Sequence, residues 1–345
     1  MEISKKKLNV LIASYLEPEH VERIRQVDDR LNVVYRPDLL GIPRYAADHT
    51  APPRDLTPEQ EAEWRALLAE ADILFDFDYP HRDQLPELAP NVRWIQATSA
   101  GIGQFVKRMK YDKRMPQTIF TTASGVHARP LAEFVIMTLL MHNKGFLRIV
   151  EDKRSHHWER YAGTDLEGRT MGLVGLGRIG SMVASLARAM GMRVIGTDLF
   201  PNTQAVEQFY KLEDLHQMLP QCDVLVLTVP HTPQTEKMIG AEQFNLLPDG
   251  AYFINIARGM VVDEPALIEA LRSGKLSGAG LDVFAEEPLP PDNPLWDMPN
   301  VLVSPHSAST SDRENMRLTA LFVDNLKRYL AGEPLRNVLN PELLF

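Results

Sequence analysis

The chain alternates short apolar runs with longer segments whose apolar residues recur at helical spacing. Strands that alternate with helices in this way form parallel sheets. The pattern therefore predicts an α/β protein, and 345 residues are enough for two domains. One predicted strand ends at Val174. The other predicted strands are residues 8–15, 32–35, 73–75, 92–96, 192–198, 223–228, 251–257, 280–284 and 300–304.

Three stretches depart from this alternation. Residues 37–58 contain five prolines and predict a long surface loop, after which Thr57 and Gln60 form a capping box for a helix that runs to about Glu70. Residues 129–141 are apolar nearly all round and predict a buried helix that crosses between two domains. The polar stretch 148–161 predicts a protruding segment that packs on a second subunit.

The most specific pattern lies between Leu173 and Asp198. An apolar run ends in Gly175, Gly177 and Gly180 at Gly-x-Gly-x-x-Gly spacing, and an amphipathic helix and a second apolar run follow. In such a βαβ unit the three glycines permit a tight turn, the approach of a pyrophosphate and the packing of helix on strand. Asp198 ends the second strand, where a carboxylate binds a ribose 2′-OH and repels a 2′-phosphate. The unit predicts an NAD site, and a turn that only packs a helix on a sheet is the alternative.

The composition excludes several classes of function. The net charge of −9 is spread along the chain, so no basic face for nucleic acid is indicated. With Cys222 as the only cysteine, neither a disulfide framework nor a cysteine metal site can form within one chain. The adjacent His156 and His157 do not share a helix face, which argues against a metal site there. No apolar run approaches the ~20 residues of a membrane helix, so we expect a soluble, cytoplasmic protein without a metal.

Three residues that can act on a 2-oxo acid follow predicted strands of the second half. Arg258, Glu287 and His306 each come after an apolar run, so a parallel sheet brings them to the edge that holds the glycine-rich turn. A guanidinium can clamp a carboxylate, and a histidine can pass a proton near neutral pH. A neighbouring carboxylate orients the imidazole and favours its charged form. Taken singly, the three also have plainer interpretations, as a surface arginine, a solvated loop acid and a core histidine.

A loop of small residues follows the predicted strand 92–96. At the carboxyl end of a parallel strand, its N–H groups could hold a carboxylate. A plain strand-to-helix turn explains the same residues equally well. The loop consists of Ser99, Ala100, Gly101 and Ile102.

These motifs, in this order, resemble those of the D-isomer-specific 2-hydroxyacid dehydrogenase family. The resemblance covers nearly the whole chain and is dense from Ser124 to Ser311. It implies two Rossmann-like domains with parallel sheets. The outer, substrate-binding domain is built from both termini, 1–126 with 308–345, and the NAD-binding domain is 127–307. The motifs are VGLGRIG at 174–180, NIARG at 255–259, LDVFAEEPLP at 281–290 and SPHSA at 304–308.

The resemblance also implies roles for individual residues. Arg258 would clamp the substrate carboxylate and polarise the carbonyl, with His306 as acid–base and Glu287 as its partner. Glu287 is chosen over Glu286 because the family's acid directly precedes the proline. Asp282 would orient the nicotinamide carboxamide. Substrate binding is placed on Ser99, Ala100, Gly101, Ile102, Arg258 and His306. Cofactor binding is placed on Gly175, Gly177, Arg178, Ile179, Gly180, Asp198, Val229, Pro230, Thr235, Ile256, Ala257, Arg258, Asp282, His306 and Ala308.

The working hypothesis is an NAD-dependent reductase of small 2-oxo acids, which oxidises D-2-hydroxy acids in reverse and works as a homodimer. Glyoxylate and hydroxypyruvate are the first expected substrates. The alternative is an NAD(H)-sensing binding protein, like the corepressors that share this fold and these residues. Neither hypothesis gives a role to residues 37–58, a segment longer than the family usually carries there.

Overall fold

The structure is a computed structural model that describes residues 7–344. These residues separate into two compact units, one formed by Ala128–Ser309 and the other by residues 7–127 with 310–344. The chain passes between the units at 127–128 and at 309–310, one and two residues beyond the boundaries expected from the sequence.

Each unit is built on a parallel sheet, as the sequence predicts. Within residues 7–344 the first unit has a five-stranded sheet in the order β2-β1-β3-β4-β5, and the second a seven-stranded sheet in the order β12-β11-β10-β9-β6-β7-β8. The strands are β1 (Leu8–Ile12), β2 (Leu31–Tyr35), β3 (Ile73–Phe75), β4 (Trp94–Gln96), β5 (Ile119–Thr121), β6 (Thr170–Val174), β7 (Arg193–Thr197), β8 (Gln208–Tyr210), β9 (Val224–Leu227), β10 (Ala251–Asn255), β11 (Leu276–Leu281) and β12 (Val301–Val303).

Helices connect the strands and cover the sheets. They are α1 (Pro18–Arg25), α2 (Pro58–Glu70), α3 (Leu85–Leu88), α4 (Gly103–Arg108), α5 (Tyr111–Arg114), α6 (Ala128–Asn143), α7 (Phe146–Arg154), α8 (Arg178–Ala189), α9 (Leu215–Met218), α10 (Ala241–Leu246), α11 (Glu264–Arg272) and α12 (Glu314–Ala331). No helix within residues 7–344 combines the length and apolar character needed to span a bilayer.

The last helix belongs to the first unit because its apolar face packs on the first sheet. Phe322 of α12 meets Phe75 of β3 edge to face, with ring centroids 5.2 Å apart, and its centroid lies 5.1 Å from that of Trp94 on β4. All three side chains are fully buried. Aromatic burial of this kind is a large favourable contribution to folding.

The Pro-rich segment and its capping box are confirmed. No helix or strand occurs between Tyr35 and Pro58. The Thr57 hydroxyl accepts a bond from the Gln60 N–H at 3.3 Å, and the Gln60 side chain accepts one from the Thr57 N–H at 3.0 Å. Two of the otherwise unpaired N–H groups at the start of α2 are thus satisfied.

The expectation that 129–141 is buried all round is wrong along one stripe of α6. Arg129, Glu133 and Met137 recur at a spacing of four and are exposed, with Met137 at 43%. The rest of the helix packs on α8 and the second sheet, and a helix on a sheet contacts its neighbours over only part of its circumference. Further along, α7 is exposed, and Trp158 in the irregular segment that follows is 94% exposed.

Candidate active site

The glycine-rich turn has the close packing that the spacing predicts. Gly175, which follows β6, has a φ of +103°, a conformation that suits glycine. Thr228 donates its hydroxyl to the Gly175 carbonyl at 2.8 Å and braces the turn from the end of β9. A Cβ on Gly180 would lie 2.0 Å from that carbonyl oxygen, so only glycine lets α8 start here. Among residues 7–344, no heavy atom beyond the adjoining backbone lies within 4 Å of the position that a Cβ on Gly177 would occupy. The turn therefore packs closely on its neighbours at Gly175 and Gly180 and leaves open space beside Gly177.

Asp198 is anchored beside this turn. Its Oδ2 accepts a bond from the Leu176 N–H at 2.5 Å, and its Oδ1 accepts one from the Phe200 N–H at 3.0 Å. An ionised carboxylate has about four lone-pair sites, so each oxygen can accept a further bond. The turn and Asp198 follow β6 and β7, next to the point between β6 and β9 where the strand order reverses and such sheets bind ligands.

Arg258 is fixed by the turn that follows β10. The Asn255 side chain accepts a bond from the Ala257 N–H at 3.0 Å and donates one to the Arg258 carbonyl at 3.1 Å. The Arg258 side chain is half-buried, and its Nη1 donates to the Ala257 carbonyl at 2.7 Å. Within residues 7–344 no carboxylate lies within 4.0 Å of its guanidinium nitrogens. A guanidinium held in this way, with no carboxylate in direct contact, can take the carboxylate of a ligand.

The electrostatics around Arg258 come from two acids. Burial lowers the pKa of Arg258, and the negative charges of Glu287 and Asp282 act in the opposite direction. The two acids are close to Arg258 because the loop after β10 rests directly on the loop after β11. The contact is so tight that a Cβ on Gly259 would lie 1.8 Å from the Phe284 carbonyl carbon. This approach brings the Glu287 loop beside Arg258.

Glu287 and His306 form a hydrogen-bonded pair. Glu287 Oε2 lies 2.7 Å from His306 Nδ1, and Oε1 accepts a bond from the Phe284 N–H at 3.0 Å. Burial alone would raise the pKa of Glu287. The bonds from His306 and Phe284, with the charges of His306 and Arg258, outweigh it and hold that pKa below its ordinary 4.5. With Nδ1 occupied by an ionised carboxylate, Nε2 is the ring nitrogen left to exchange a proton with a ligand.

The loop that carries His306 is held by Asp282. Asp282 is 1% exposed, and its Oδ1 accepts bonds from the Ser304 hydroxyl at 2.6 Å, the Ser307 N–H at 2.8 Å and the Ala308 N–H at 2.9 Å. Burial raises the pKa of Asp282, although these bonds oppose the change. His306 itself has a φ of +53°, and its side chain is 44% exposed. The carboxylate therefore fixes a strained turn that presents an accessible imidazole.

The carboxyl ends of β10, β11 and β12 thus bring Arg258, Asp282, Glu287 and His306 to one edge of the second sheet.

The other expected cofactor residues differ in exposure. Val229 and Pro230 lie at the open end of β9, whereas the Thr235 hydroxyl is buried and donates to the Pro230 carbonyl at 2.7 Å. Ile256 and Ala257 are each 4% exposed, Arg178 and Ile179 open α8, and the Ala308 N–H is taken by Asp282.

The small-residue loop follows β4 in the first unit. The Ser99 carbonyl accepts a bond from the Ala123 N–H at 3.0 Å, and the Ser99 hydroxyl accepts one from the Gly101 N–H at 3.3 Å. Ile102 is 3% exposed and packs in the core. Among the described residues, the N–H groups of Ser99 and Ala100 have no acceptor. The N–H of the buried Ile102 also has no acceptor among these residues, so three of the loop's four N–H groups are unpaired, and those of Ser99 and Ala100 belong to partly exposed residues.

Sequence reasoning missed the residues that brace the site. Asn255, Thr228 and Ser304 each end a strand or follow one, and each bonds a loop that carries a candidate ligand-binding group. For Asn255 a signal was present, because asparagine often bonds the backbone two residues on and so fixes a turn. Asp282 was expected to touch the cofactor, and its bonding to the His306 loop was not foreseen.

Comparisons with known proteins agree with this geometry. A family model described as D-isomer specific 2-hydroxyacid dehydrogenase, NAD binding domain, matches residues 136–308. The glyoxylate/hydroxypyruvate reductase B of Pectobacterium carotovorum subsp. carotovorum is 35% identical over 263 residues, which cover 74% of this chain and 81% of that protein. The D-3-phosphoglycerate dehydrogenase of Archaeoglobus fulgidus is 35% identical over 225 residues, 64% of this chain and 43% of that protein.

Solved structures share the fold over nearly the full length of the chain. A D-isomer specific 2-hydroxyacid dehydrogenase from Xanthobacter autotrophicus Py2, in complex with NADPH and MES, has a TM-score of 0.77 and 29% identity, covering 99% of this chain and 100% of that chain. An NADPH-dependent glyoxylate/hydroxypyruvate reductase from Sinorhizobium meliloti, in complex with NADP and sulfate, has a TM-score of 0.76 and 26% identity, covering 98% and 100%.

Proposed function

This chain belongs to the D-isomer specific 2-hydroxyacid dehydrogenase family, and we propose that it reduces small 2-oxo acids with NADH. At the family level it is an NAD(P)-dependent oxidoreductase that acts on CH–OH donors. The observation that carries the proposal is the 2.7 Å pair of Glu287 and His306, whose charges act on an Arg258 that no described carboxylate contacts directly. Glyoxylate and hydroxypyruvate are the first substrates, in line with the names of similar reductases. In reverse, the same groups would oxidise a D-2-hydroxy acid.

The residues around the glycine-rich turn fit a dinucleotide. The open position at Gly177 would leave room for a pyrophosphate, the N–H groups at the start of α8 would bind it, and Asp198 has lone pairs for a ribose hydroxyl. When bound, the nicotinamide supplies the hydride. The further residues that would hold the cofactor are Arg178, Ile179, Gly180, Val229, Pro230, Thr235, Ile256, Ala257, Asp282 and Ala308.

Each catalytic residue has one task in the reduction. Arg258 binds the substrate carboxylate through two parallel N–H bonds and polarises the oxo group. As the oxo carbon is reduced, negative charge develops on its oxygen. His306, as imidazolium, donates the Nε2 proton to that oxygen, and Glu287 holds the ring through Nδ1. In the oxidation, neutral His306 accepts the proton.

The choice of NAD over NADP rests on Asp198. The two structural neighbours described above are among those complexed with NADPH or NADP. In this chain a carboxylate anchored by two backbone N–H groups ends β7. A 2′-phosphate there would meet a like charge, whereas a 2′-OH would donate a hydrogen bond.

The protein is proposed to act as a homodimer through the second unit. The exposed stripe of α6 and the end of α8 form an apolar groove of about 520 Å³ that no described residue covers. Contiguous exposed apolar surface marks a contact with another protein, and a two-fold axis lets one patch meet its own copy. The apolar residues are Ile136, Met137, Leu140, Met141, Leu186, Ala189 and Met190, with exposed Phe146, Leu147, Ile149 and Trp158 on the adjoining segment.

Turnover tests the proposal. Purified protein with NADH and glyoxylate, hydroxypyruvate or pyruvate should consume NADH and 2-oxo acid in equal amounts and release the D-2-hydroxy acid, identified by chiral chromatography. Tight NADH binding without turnover of any 2-oxo acid would contradict the proposal and favour an NAD(H)-sensing protein.

A further inference from the structure

Asp76 is a fully buried acid of the first unit that takes no part in the proposed proton transfer. It directly follows β3, is 0% exposed and has a φ of +67°, in the left-handed region that residues other than glycine seldom adopt. A backbone held in so rare a conformation costs free energy and occurs most often at functional sites. The buried carboxylate and the unusual backbone therefore both indicate a role for Asp76.

The Asp76 side chain bonds the end of the neighbouring strand. β3 pairs with β4, and the Asp76 N–H donates to the Gln96 carbonyl at 2.8 Å. Beyond the strands, Asp76 Oδ2 accepts a bond from the Thr98 hydroxyl at 2.9 Å, and Oδ1 accepts a longer one from the Thr98 N–H at 3.4 Å. Thr98 directly precedes Ser99, so the carboxylate holds the start of the small-residue loop.

The small-residue loop is anchored at several points. Asp76 bonds the residue before it, the Ser99 carbonyl accepts a bond from the Ala123 N–H at 3.0 Å, and Ile102 packs in the core. Between these anchors the N–H groups of Ser99 and Ala100 have no acceptor among the described residues. Anchoring keeps these N–H groups in one place, which lowers the cost of ordering them when an anion binds.

His49 of the Pro-rich segment lies beside Asp76. His49 Nδ1 is 2.7 Å from the Ser14 hydroxyl, which ties the segment to the residues after β1. The His49 ring centroid lies 6.5 Å from that of Phe75, the residue before Asp76. Burial raises the pKa of Asp76, and the charge of His49 and the hydrogen bonds that Asp76 accepts oppose this change. The segment therefore brings a side chain that can carry positive charge next to the buried carboxylate.

We propose that Asp76 is a positioning residue that holds the small-residue loop in the conformation that binds the 2-oxo acid, and that the Pro-rich segment supports Asp76 through His49. This inference rests on the proposed function and takes the N–H groups of Ser99 and Ala100 as ligands of the substrate. Because Asp76 is fully buried, it acts through Thr98 and does not contact the substrate itself. Residues 37–58 thereby gain a role in substrate binding.

Removal of the carboxylate tests the role of Asp76. Asp76→Gly deletes both acceptor oxygens and suits a left-handed backbone. KM for the best 2-oxo acid should rise about tenfold or more, the effect of losing one hydrogen bond to a charged group. Turnover should stay within about threefold of wild type, because an interaction made equally in the ground and transition states changes KM and not kcat. The Kd of NADH should not change, since the glycine-rich turn belongs to the second unit.

Two further variants separate positioning from stability. Asp76→Asn keeps an acceptor oxygen and a residue type that tolerates positive φ, so KM should return to within about threefold of wild type. Asp78→Ala removes another buried acid after β3, which bonds His81 and not the small-residue loop, and should leave KM unchanged even if Tm falls. Equal KM values in Asp76→Gly and Asp76→Asn, or an equal rise with Asp78→Ala, would overturn the inference.

A conservative change of the donor tests the same bond from its other end. Thr98→Val removes the hydroxyl that Asp76 accepts and keeps the shape of the side chain. KM for the 2-oxo acid should rise severalfold, and this result decides the matter even if Asp76→Gly does not fold. A wild-type KM in Thr98→Val would overturn the inference and leave the proposed function intact. No oxidation of NADH by the wild-type enzyme with any 2-oxo acid would overturn both.

A double-mutant cycle tests the support from the Pro-rich segment. His49→Gln should raise KM for the 2-oxo acid about threefold in the wild-type background and should have no effect in Asp76→Gly, since residues that act through one group are not additive. His20→Gln changes another partly buried histidine of the first unit and should leave KM unchanged. A wild-type KM in His49→Gln, or the same factor in both backgrounds, would overturn the role of His49.

Discussion

The buried carboxylate of Asp282 holds the His306 loop, and the loss of stability when it is removed can be predicted from its hydrogen bonds. Asp282→Ala removes the acceptor from the Ser304 hydroxyl and from the Ser307 and Ala308 N–H groups. A bond to a charged group contributes about 1.5–3 kcal/mol. The Ser304 hydroxyl can rotate to water and Ser307 is exposed, so we expect a total loss of about 3 kcal/mol. For a unit of this size that lowers Tm by about 6–12 °C.

The same change should lower turnover through the position of His306. A displacement of a catalytic group by about 1 Å costs about a hundredfold in rate, so kcat should fall by about that factor. Asp282→Asn is the matched control, because it keeps an acceptor oxygen. It also removes a charge that burial disfavours, as the raised pKa of Asp282 indicates. We expect Asp282→Asn to lower Tm by less than half as much as Asp282→Ala does, and to keep kcat within about tenfold of wild type.

Three measurements separate the alternatives. Calorimetry gives Tm, NADH oxidation well below the lower Tm gives kcat, and fluorescence titration gives the Kd of NADH. Wild-type Tm and kcat in Asp282→Ala would refute the bracing role. If Asp282→Ala leaves Tm unchanged but raises the Kd of NADH more than tenfold, Asp282 acts on the cofactor instead.

The remaining predictions concern cofactor choice, assembly and pH. Asp198→Ala should bring kcat/KM with NADPH close to that with NADH, and a wild-type enzyme that uses NADPH equally well would contradict the role of Asp198. Met137→Glu should yield monomers by light scattering, whereas Met316→Glu, equally 43% exposed but on α12, should not; identical masses would contradict the interface. Burial would raise the pKa of Asp48, but bonds from Arg44 and Thr50 hold it below the ordinary 3.8. The stabilisation is therefore fully present above about pH 4 and is lost progressively as pH falls through the lowered pKa, so Arg44→Gln should lower Tm by more at pH 7 than at pH 2; a difference that does not change with pH would contradict it.

Patterns confined to a short stretch of sequence were predictable. The glycine spacing from Gly175 to Gly180 and the acid at Asp198 belong to one βαβ unit, and the structure forms that unit with the expected close contacts. The Thr57 cap is likewise formed within four residues. In each case the residue type and the backbone geometry that it satisfies lie in the same turn.

Features that depend on distant partners were not predictable. The three donors to Asp282 come from a loop more than twenty residues further on, so no local pattern shows the bracing. A crevice in the first unit combines Ser14, Trp64 and Phe77 with the Pro-rich segment, which has no periodicity to interpret. The exposed face of α6 was missed because Met137 is apolar yet points away from the core, and hydropathy alone cannot show which apolar face a neighbour covers.

The central claim is that His306 exchanges the proton with the substrate, and the kcat of His306→Ala tests it most directly. Loss of one acid–base group typically costs ~10²–10⁴ in rate. We therefore predict that kcat for the best 2-oxo acid falls by that factor while the Kd of NADH stays within about twofold, since Glu287 and the glycine-rich turn are untouched. His157→Ala, which removes a similarly exposed histidine in the same unit, should keep the wild-type kcat. A His306→Ala enzyme with kcat within a few-fold of wild type would show that the proton comes from elsewhere, and the roles assigned to Arg258, Glu287 and His306 would have to be withdrawn.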